Sequence, residues 1–295
     1  MRNAFIIFAL VSIFISCTKK EVGAVSFDVK TDSIIFKVND TVNFRMSGNP
    51  DYIVFWSGEI GNDYNHRNRD TGTGMPILCF TSQEKYGNHK NTLHLMVSTD
   101  FKGKNYDTSE LRNATWIDIT RRAKLDSTTN LTPSGNINLG DFLSYNTPIY
   151  IAFQFADQKD GVNAQRSWNI NNLSLINYLS LIDSSTILDI PNNIWLGVSL
   201  LNPAVNWKQS SSLLTIGGGT KDSSSNEAWI ISQPINLRKV IPDAAVPVKK
   251  LSDPILKSFY HIYSKPGNYR VVFNAVNANA NGKTEALKSI NITVQ

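Results

Sequence analysis

Apolar and polar residues alternate along most of this 295-residue chain, with clear runs at 34–38, 93–97, 149–155, 269–275 and 290–294. Successive side chains of a strand point to opposite faces of a sheet, so a period of two is typical of strands with one buried face. No segment keeps a helical period over three turns. We therefore expect an all-β fold, and the irregular spacing of the strands favours a β-sandwich over a closed barrel.

Composition and charge exclude several classes of protein. Hydrophobic residues make up 41% of the chain and aromatic residues 10%, which is too much apolar content for a disordered chain. Two cysteines are too few for a small fold held by disulfides. The formal net charge of +5 is spread over short clusters such as 121–124 and 249–250. We expect no nucleic-acid partner, because such proteins concentrate basic residues on one face.

The N-terminus carries a targeting pattern. Arg2 precedes a mainly apolar run from Ala4 to Ile15, which is shorter than the ~20 residues that a membrane-spanning helix needs and is typical of a signal peptide. Ser16 followed by Cys17 resembles the lipobox of bacterial lipoproteins. The resemblance implies cleavage after residue 16 and a lipidated Cys17, with 17–21 as a linker. An ordinary secretory signal followed by a chance cysteine is the alternative.

The two ends of the chain contain the parts of one small sandwich. Residues 261–271 read HIYSKPGNYRV and resemble the signature of PKD domains, which are immunoglobulin-like. Pro266-Gly267 suits a type II turn. Residues 52–59 resemble the middle strand of the same domain. We therefore expect a discontinuous PKD/Ig-like domain, 22–67 plus 254–295. Within its first part, 34–38 and 42–46 flank Asn39-Asp40 and predict a hairpin.

The residues between these two parts, 68–253, are expected to form an inserted jelly-roll-like sandwich. The stretches 95–101 and 114–120 resemble lectin-like jelly rolls of bacterial surface proteins. The whole arrangement resembles an uncharacterised family of Bacteroidota lipoproteins, often encoded in polysaccharide-utilisation loci. The resemblance implies an outer-membrane, cell-surface location beside a glycan importer. The three glycines at 217–219 predict a flexible loop tip.

Motifs for catalysis are missing from the sequence. HExxH and GxSxG do not occur, and His89 and His94 lack the spacing of a helical zinc site. Carboxylates such as Glu59 and Asp118 have no spacing that pairs them for glycoside cleavage. We therefore expect a protein that is not an enzyme and needs no cofactor. A cleft with two facing carboxylates of shifted pKa would favour a hydrolase instead.

Two kinds of binding residue can be proposed. Trp207, Tyr64 and Tyr106 stand in polar, turn-rich stretches and are our candidates for an exposed platform on which sugar rings stack. A half-buried aromatic residue that steadies its loop is the alternative for each. Asp100 and Asp107, with Glu110, follow a strand and offer oxygen ligands for a structural calcium ion; an ordinary polar loop is the alternative.

The sequence thus predicts a non-catalytic surface lipoprotein that binds a polysaccharide or oligosaccharide, attached to the membrane through its lipid. The alternative is a structural envelope lipoprotein, or one that binds a protein partner, without affinity for glycans. An exposed apolar patch would favour this alternative, whereas a groove with aromatic residues would favour glycan binding.

Overall fold

The computed structural model describes residues 21–295, and the signal segment 1–16 and Cys17 lie outside the described residues. Twenty strands, one α-helix and three 3-10 helices form the regular structure of this part of the chain. The strands are β1 Phe27–Thr31, β2 Ile35–Phe36, β3 Thr41–Gly48, β4 Tyr52–Trp56, β5 Met75–Lys85, β6 Leu93–Ser98, β7 Ile117–Asp118, β8 Thr132–Pro133, β9 Ile137–Asn138, β10 Tyr150–Asp157, β11 Ser167–Tyr178, β12 Ser184–Asp189, β13 Trp195–Ser199, β14 Lys208–Gln209, β15 Leu213–Ile216, β16 Asn226–Ser232, β17 Val246–Lys249, β18 Ser258–Ile262, β19 Gly267–Asn279 and β20 Gly282–Val294. The helices are α1 Thr108–Asn113 and the 3-10 turns Tyr64–His66, Thr120–Arg122 and Gly140–Tyr145.

These elements confirm the predicted all-β class. Among the described residues, no helix is both long enough and apolar enough to cross a membrane. The chain divides into two units, each with its own contacts. The terminal unit contains residues 21–67 and 243–295, and the inserted unit contains 68–242. We expected the second boundary at residue 254, but the terminal unit already resumes at residue 243. The boundary lies earlier because β17 pairs with β4 of the terminal unit.

The terminal unit is a sandwich of two sheets. One sheet has the strand order β1-β3-β18 and the other β17-β4-β19-β20-β2. Phe44 of β3 comes from the first sheet, whereas Phe55 of β4 and Phe273 of β19 come from the second. The ring centroids of Phe44 and Phe55 lie 5.2 Å and 5.1 Å from that of Phe273. These three fully buried rings fill the space between the sheets, and aromatic side chains contribute strongly to such a core.

The predicted hairpin at 34–46 is wrong. Asn39 does adopt the positive φ that a tight turn needs, at 69°. However, the strands on either side of it belong to different sheets. β2 pairs in parallel with β20, and β3 pairs with β1 and β18. The turn therefore carries the chain from one sheet to the other, which an alternating pattern cannot distinguish from a hairpin.

The residues of the PKD-like signature pack together. Tyr263 is 1% exposed, and its hydroxyl donates a hydrogen bond to the carbonyl of Ser57 at 2.9 Å. Its ring centroid lies 4.4 Å from that of Tyr269. The predicted type II turn is wrong, because Gly267 opens β19 without a positive φ. Glycine is instead suited to this position because a Cβ would lie 3.2 Å from the Tyr269 ring.

The inserted unit is a larger sandwich. Its five-stranded sheet has the order β13-β16-β10-β6-β7, and its larger sheet has the order β14-β15-β11-β5-β8, with β12 and β9 pairing at β11 and β5. The core between the sheets takes alternate residues of each strand, such as Phe153 of β10 and Phe80 of β5, whose centroids are 5.1 Å apart. This unit is therefore an all-β sandwich as well.

The five-stranded sheet is buried on its outer face too. Tyr150, Trp229 and other residues that point away from the main core form a second apolar cluster with Phe101 and Leu111. Phe101 and Leu111 belong to the segment 99–116, which contains α1. This segment therefore covers the sheet, and the aromatic residues beneath it serve in packing.

The buried hydroxyl of Tyr263 provides a test of the terminal unit. We expect Tyr263→Phe to lower its free energy of unfolding by about 1–3 kcal/mol, because the carbonyl of Ser57 loses a buried donor while the ring packing is kept. Denaturant unfolding followed by circular dichroism would measure the change. Tyr260→Phe is the matched control, since Tyr260 lies in β18, three residues before Tyr263, but is 68% exposed. Equal losses in the two variants would contradict the assignment.

Candidate functional site

Trp207 is not an exposed platform, and this prediction is wrong. The side chain is 5% exposed within the core of the inserted unit, and its Nε1 donates to the carbonyl of Ala228 at 3.1 Å. Its ring lies 6.3 Å from that of Phe153. A turn closed by the Val205 amide and the Asn202 carbonyl brings the chain back to the sheet just before β14. The polar residues around Trp207 thus belong to a turn, whereas the indole itself completes the core.

Tyr64 and Tyr106 are both half-buried and steady their loops. Tyr64 packs edge-on against Trp56 at 5.7 Å, and the Arg67 guanidinium covers its ring at 3.9 Å from the centroid. Tyr106 packs on Phe101 at 5.4 Å and donates its hydroxyl to the carbonyl of Ser232 at 3.2 Å. Burial raises the pKa of Tyr106 to about 12. Neither ring offers a free face of the kind the sequence suggested, and the two belong to different units.

Asp100 and Asp107 use their carboxylates to cap the backbone. Asp100 Oδ1 accepts from the Thr115 amide at 2.8 Å, and Asp107 Oδ1 accepts from the Glu110 amide at the start of α1 at 2.8 Å. Glu110 in turn accepts from the amides of 104–106. In residues 21–295 no three His, Cys, Asp or Glu side chains are grouped to hold a metal ion. The polar-loop alternative therefore describes this segment, and the predicted calcium site is wrong.

Candidate binding features lie instead at one end of the inserted sandwich. Three loops meet there: 86–92 between β5 and β6, 158–166 between β10 and β11, and 217–225 between β15 and β16. We call this region the loop end. It contains a cleft of about 870 Å³ and a groove of about 720 Å³, both within the size range of small-molecule sites. Consecutive residues of β11, which point to opposite faces of the sheet, line them: Trp168 lines the cleft and Ser167 the groove.

Arg166 holds the loop end together. Its guanidinium donates to the carbonyl of His89 at 2.9 Å and to that of Tyr86 at 2.9 Å. The same group forms an ion pair with Glu84 at 3.4 Å. Arg166 is separated from Tyr86 by 80 positions in the sequence, so this contact depends on the tertiary fold. One side chain therefore fixes the loop 86–92 against β5 and β11.

The cleft contains three carboxylates in different states. Burial raises the pKa of Glu84, and Arg166 opposes this effect. Burial would also raise the pKa of Asp126, but hydrogen bonds from the Thr128 and Glu84 amides outweigh it and lower the pKa. At Asp118, hydrogen bonds from Thr120 and His94 likewise outweigh burial and lower the pKa. The cleft is thus lined by charged groups, and most of its carboxylates accept hydrogen bonds or form ion pairs within the protein.

The groove presents the most exposed aromatic ring of the loop end. Tyr86 is 75% exposed and lines the groove. Its φ of 56° is uncommon for a bulky residue and costs on the order of 1–3 kcal/mol, so the surrounding contacts must hold it. Gln165 forms the buried wall, since its Nε2 donates to the Ser224 carbonyl at 3.0 Å and its Oε1 accepts from the Gly219 amide at 3.0 Å.

His89 links two of the three loops. Its Nδ1 contacts the buried carboxylate of Asp157, and its Nε2 contacts Asp160 at 2.9 Å. The hydrogen bond to Asp157, followed by that to Asp160, raises the pKa of His89. His94 faces Asp118 instead, at 3.2 Å, so the two histidines have separate partners. His89 therefore links 86–92 to Asp157 of β10 and to 158–166, and we call this contact the His89 clamp.

The sequence contained a signal for this region, in that Tyr86 and Gly87 follow a long alternating strand and precede Asn88, as in a turn. The residues beside Tyr86 are of the same polar, turn-forming kind as those beside Tyr64 and Tyr106, so the local sequence does not distinguish the exposed ring from the two half-buried rings. The partners of Arg166 and His89 are far away in the sequence, so spacing alone carries no signal for them.

The fold and the loop end define a two-unit, all-β protein with an open, polar site on its inserted sandwich. The chain belongs to the family described as Domain of unknown function (DUF5017), whose model matches residues 16–195. The match covers more than half of the chain and extends into both units. No curated protein and no solved structure matches the chain.

The His89 clamp predicts a pH-dependent stability. Because its pKa is raised in the folded state, its stabilising effect is full below the ordinary value of about 6.5 and is lost as the pH rises through the raised pKa. The melting temperature of the native chain should therefore exceed that of His89→Gln at pH 5.5, and the difference should shrink by pH 9. Asp160→Asn should weaken this pH dependence. A difference between native chain and His89→Gln that is independent of pH would contradict the clamp.

Proposed function

We propose that the protein is a lipid-anchored, cell-surface protein of a bacterial outer membrane that binds a polysaccharide or oligosaccharide without cleaving it. Its place beside a glycan importer rests on the resemblance to Bacteroidota lipoproteins. The lipid anchor rests on the signal segment 1–16 and on Cys17. Binding is assigned to the loop end of the inserted unit.

The observation that supports binding is that the exposed ring of Tyr86 lines the polar groove and lies at the same loop end as the cleft. Sugar rings have flat C–H faces that stack on aromatic rings, and their hydroxyls need hydrogen-bond partners. Tyr86 offers an exposed ring, and Ser167, Thr220 and Lys221 line the same groove. The strained backbone of Tyr86 is held by Arg166, so the ring is presented by a fixed loop. Such a preformed site reduces the entropic cost of binding.

A hydrolase is the second candidate function, because the cleft contains Glu84 with a raised pKa near carboxylates with lowered pKa values. The contacts favour binding instead. Glu84 is 6% exposed and pairs with Arg166, and both oxygens of Asp126 accept protein hydrogen bonds. Asp118, whose side chain is 50% exposed, already accepts from the Thr120 amide at 2.8 Å. Incubation with a bound polysaccharide should release no new reducing ends; their release would favour the hydrolase.

The predicted anchor can be tested because the chain has only two cysteines, Cys17 and Cys79. We expect Cys17→Ser to abolish incorporation of labelled palmitate and to move the protein out of the membrane fraction, since a thiol is needed to accept the diacylglyceryl group. Cys79→Ser is the matched control and should keep the label, because Cys79 lies within β5. Equal labelling of the native chain and Cys17→Ser would contradict the anchor.

The binding site can be tested by electrophoresis in native gels that contain plant, microbial or host polysaccharides. We expect one of them to retard a chain that starts after Cys17, and Tyr86→Ala to weaken the affinity roughly 3- to 10-fold, the effect of losing one aromatic stacking contact. Tyr178→Ala is the matched control, because Tyr178 is 40% exposed at the opposite end of β11. It should bind like the native chain.

Two outcomes of this experiment would count against the proposal. If no polysaccharide retards the chain, the alternative of a structural lipoprotein or one that binds a protein partner is favoured. The exposed Leu181 and Ile182 at the tip between β11 and β12 would then be the first surface to examine. If Tyr178→Ala weakens binding as much as Tyr86→Ala, binding does not occur at the loop end.

A further inference from the structure

The charges in the cleft are unequally compensated. Its lining includes three carboxylates, three side chains of Lys or Arg, and one histidine, so the formal charges nearly cancel. Which of these groups already have partners decides what the cleft can still bind. A charged ligand must find a group of opposite charge that the protein itself has left unpaired.

Each of the three carboxylates has protein partners. Glu84 pairs with Arg166 at 3.4 Å. Asp118 accepts from the Thr120 amide at 2.8 Å and faces His94 at 3.2 Å. Asp126 accepts from the Glu84 amide at 2.9 Å and from further donors of its own loop. The negative charges of the cleft are therefore largely satisfied by internal donors.

Two of the three cations have no such partners. Arg166 is engaged with Glu84 and with two backbone carbonyls. Lys90 and Arg121 are exposed, and within residues 21–295 neither side chain forms a hydrogen bond or ion pair. The neighbouring Arg122 differs, because it forms a bidentate pair with Asp141 at 2.9 Å and 2.8 Å. The cleft thus has two free donors of positive charge on its lining.

These donors come from two different loops. Lys90 lies in 86–92, which Arg166 and His89 hold in place, and Arg121 lies in the 3-10 turn Thr120–Arg122. The same turn is fixed to β6, since Thr120 Oγ1 accepts from the Leu95 amide at 2.9 Å. Both cations therefore extend from fixed backbone, and an Arg guanidinium can bind a carboxylate or sulfate through two parallel hydrogen bonds.

We infer that the cleft binds the acidic group of an anionic saccharide, a uronic acid carboxylate or a sulfate ester, through Lys90 and Arg121. This inference rests on the proposed glycan-binding function and specifies its ligand class. The stacking surface at Tyr86 and the cleft lie on the same loop end, so one saccharide chain has both kinds of contact available there. Neutral saccharides would use the groove without the pair of cations.

The test compares ligands that differ only in charge. Polygalacturonate and its methyl-esterified form give a carboxylate pair, and dextran sulfate and dextran give a sulfate pair. We expect the native chain to bind one charged member at least about tenfold more tightly than its neutral partner, in gels and by calorimetry with short oligosaccharides. The pair that shows the difference identifies the acidic group. Equal affinity for charged and neutral members of both pairs would overturn the inference.

A matched pair of double variants separates a specific site from general attraction to a basic protein. Lys90→Gln with Arg121→Gln should reduce affinity for the acidic ligand at least about tenfold and should flatten its salt dependence. Arg112→Gln with Lys239→Gln removes the same net charge at exposed positions that do not line the cleft. This control should bind within about twofold of the native chain. Equal losses in both double variants would overturn the inference.

Further readouts keep the test decisive. Arg121→Lys retains the charge but not the two parallel hydrogen bonds, so it should bind the acidic ligand more tightly than Arg121→Gln and less tightly than the native chain, a comparison that does not depend on the double variant. Melting temperatures of all variants identify any that are destabilised. If neutral saccharides bind through Tyr86 and no charged saccharide binds more tightly than its neutral partner, this inference fails and glycan binding stands. If neither charged nor neutral saccharides bind, both fail.

Discussion

The five-stranded sheet of the inserted unit is buried on both faces, and much of the structure depends on this constraint. Along β10, Ile151 and Phe153 point into the main core, whereas Tyr150 and Ala152 point outward. An apolar outer face must be covered to remove it from water, and the segment 99–116 provides the cover. Tyr106 and its aromatic neighbours are used for this purpose, and the ligand contacts that we propose lie instead at the ends of the strands.

The fold class could be predicted from sequence because alternation records which face of a strand is buried. At 149–155 and 269–275 the alternation corresponds to residues of the cores. It does not record which strand is the neighbour, so the turn at Asn39 resembled a hairpin although it joins two sheets. The prediction for Trp207 was wrong for a related reason. Its local sequence is that of a turn, and only the tertiary fold places the indole in the core.

The candidate site was less predictable because long-range hydrogen bonds build it. Residues 217–219 resembled a flexible tip, yet the amides of Gly218 and Gly219 donate to Ser167 and Gln165. A Cβ on Gly218 would lie 2.2 Å from the carbonyl of Arg166, so glycine is required there for close approach rather than for mobility. A glycine-rich stretch can be either a mobile loop or a segment that packs closely against another part of the chain. Here the hydrogen bond to Ser167, 51 positions away, shows that it packs closely.

Hydrogen bonds of Arg166 and His89 also explain how the loop end can present the Tyr86 ring in a fixed position. A left-handed Tyr86 costs on the order of 1–3 kcal/mol, whereas each hydrogen bond to the charged Arg166 contributes about 1.5–3 kcal/mol. The strain can therefore persist without a ligand, and the ring is held ready. His89 adds a second clamp through Asp157 at the end of β10 and Asp160 on the neighbouring loop. A binding site on such fixed loops loses little conformational entropy when a ligand binds, and this property agrees with the proposal that the ligand is a weakly interacting, well-hydrated saccharide.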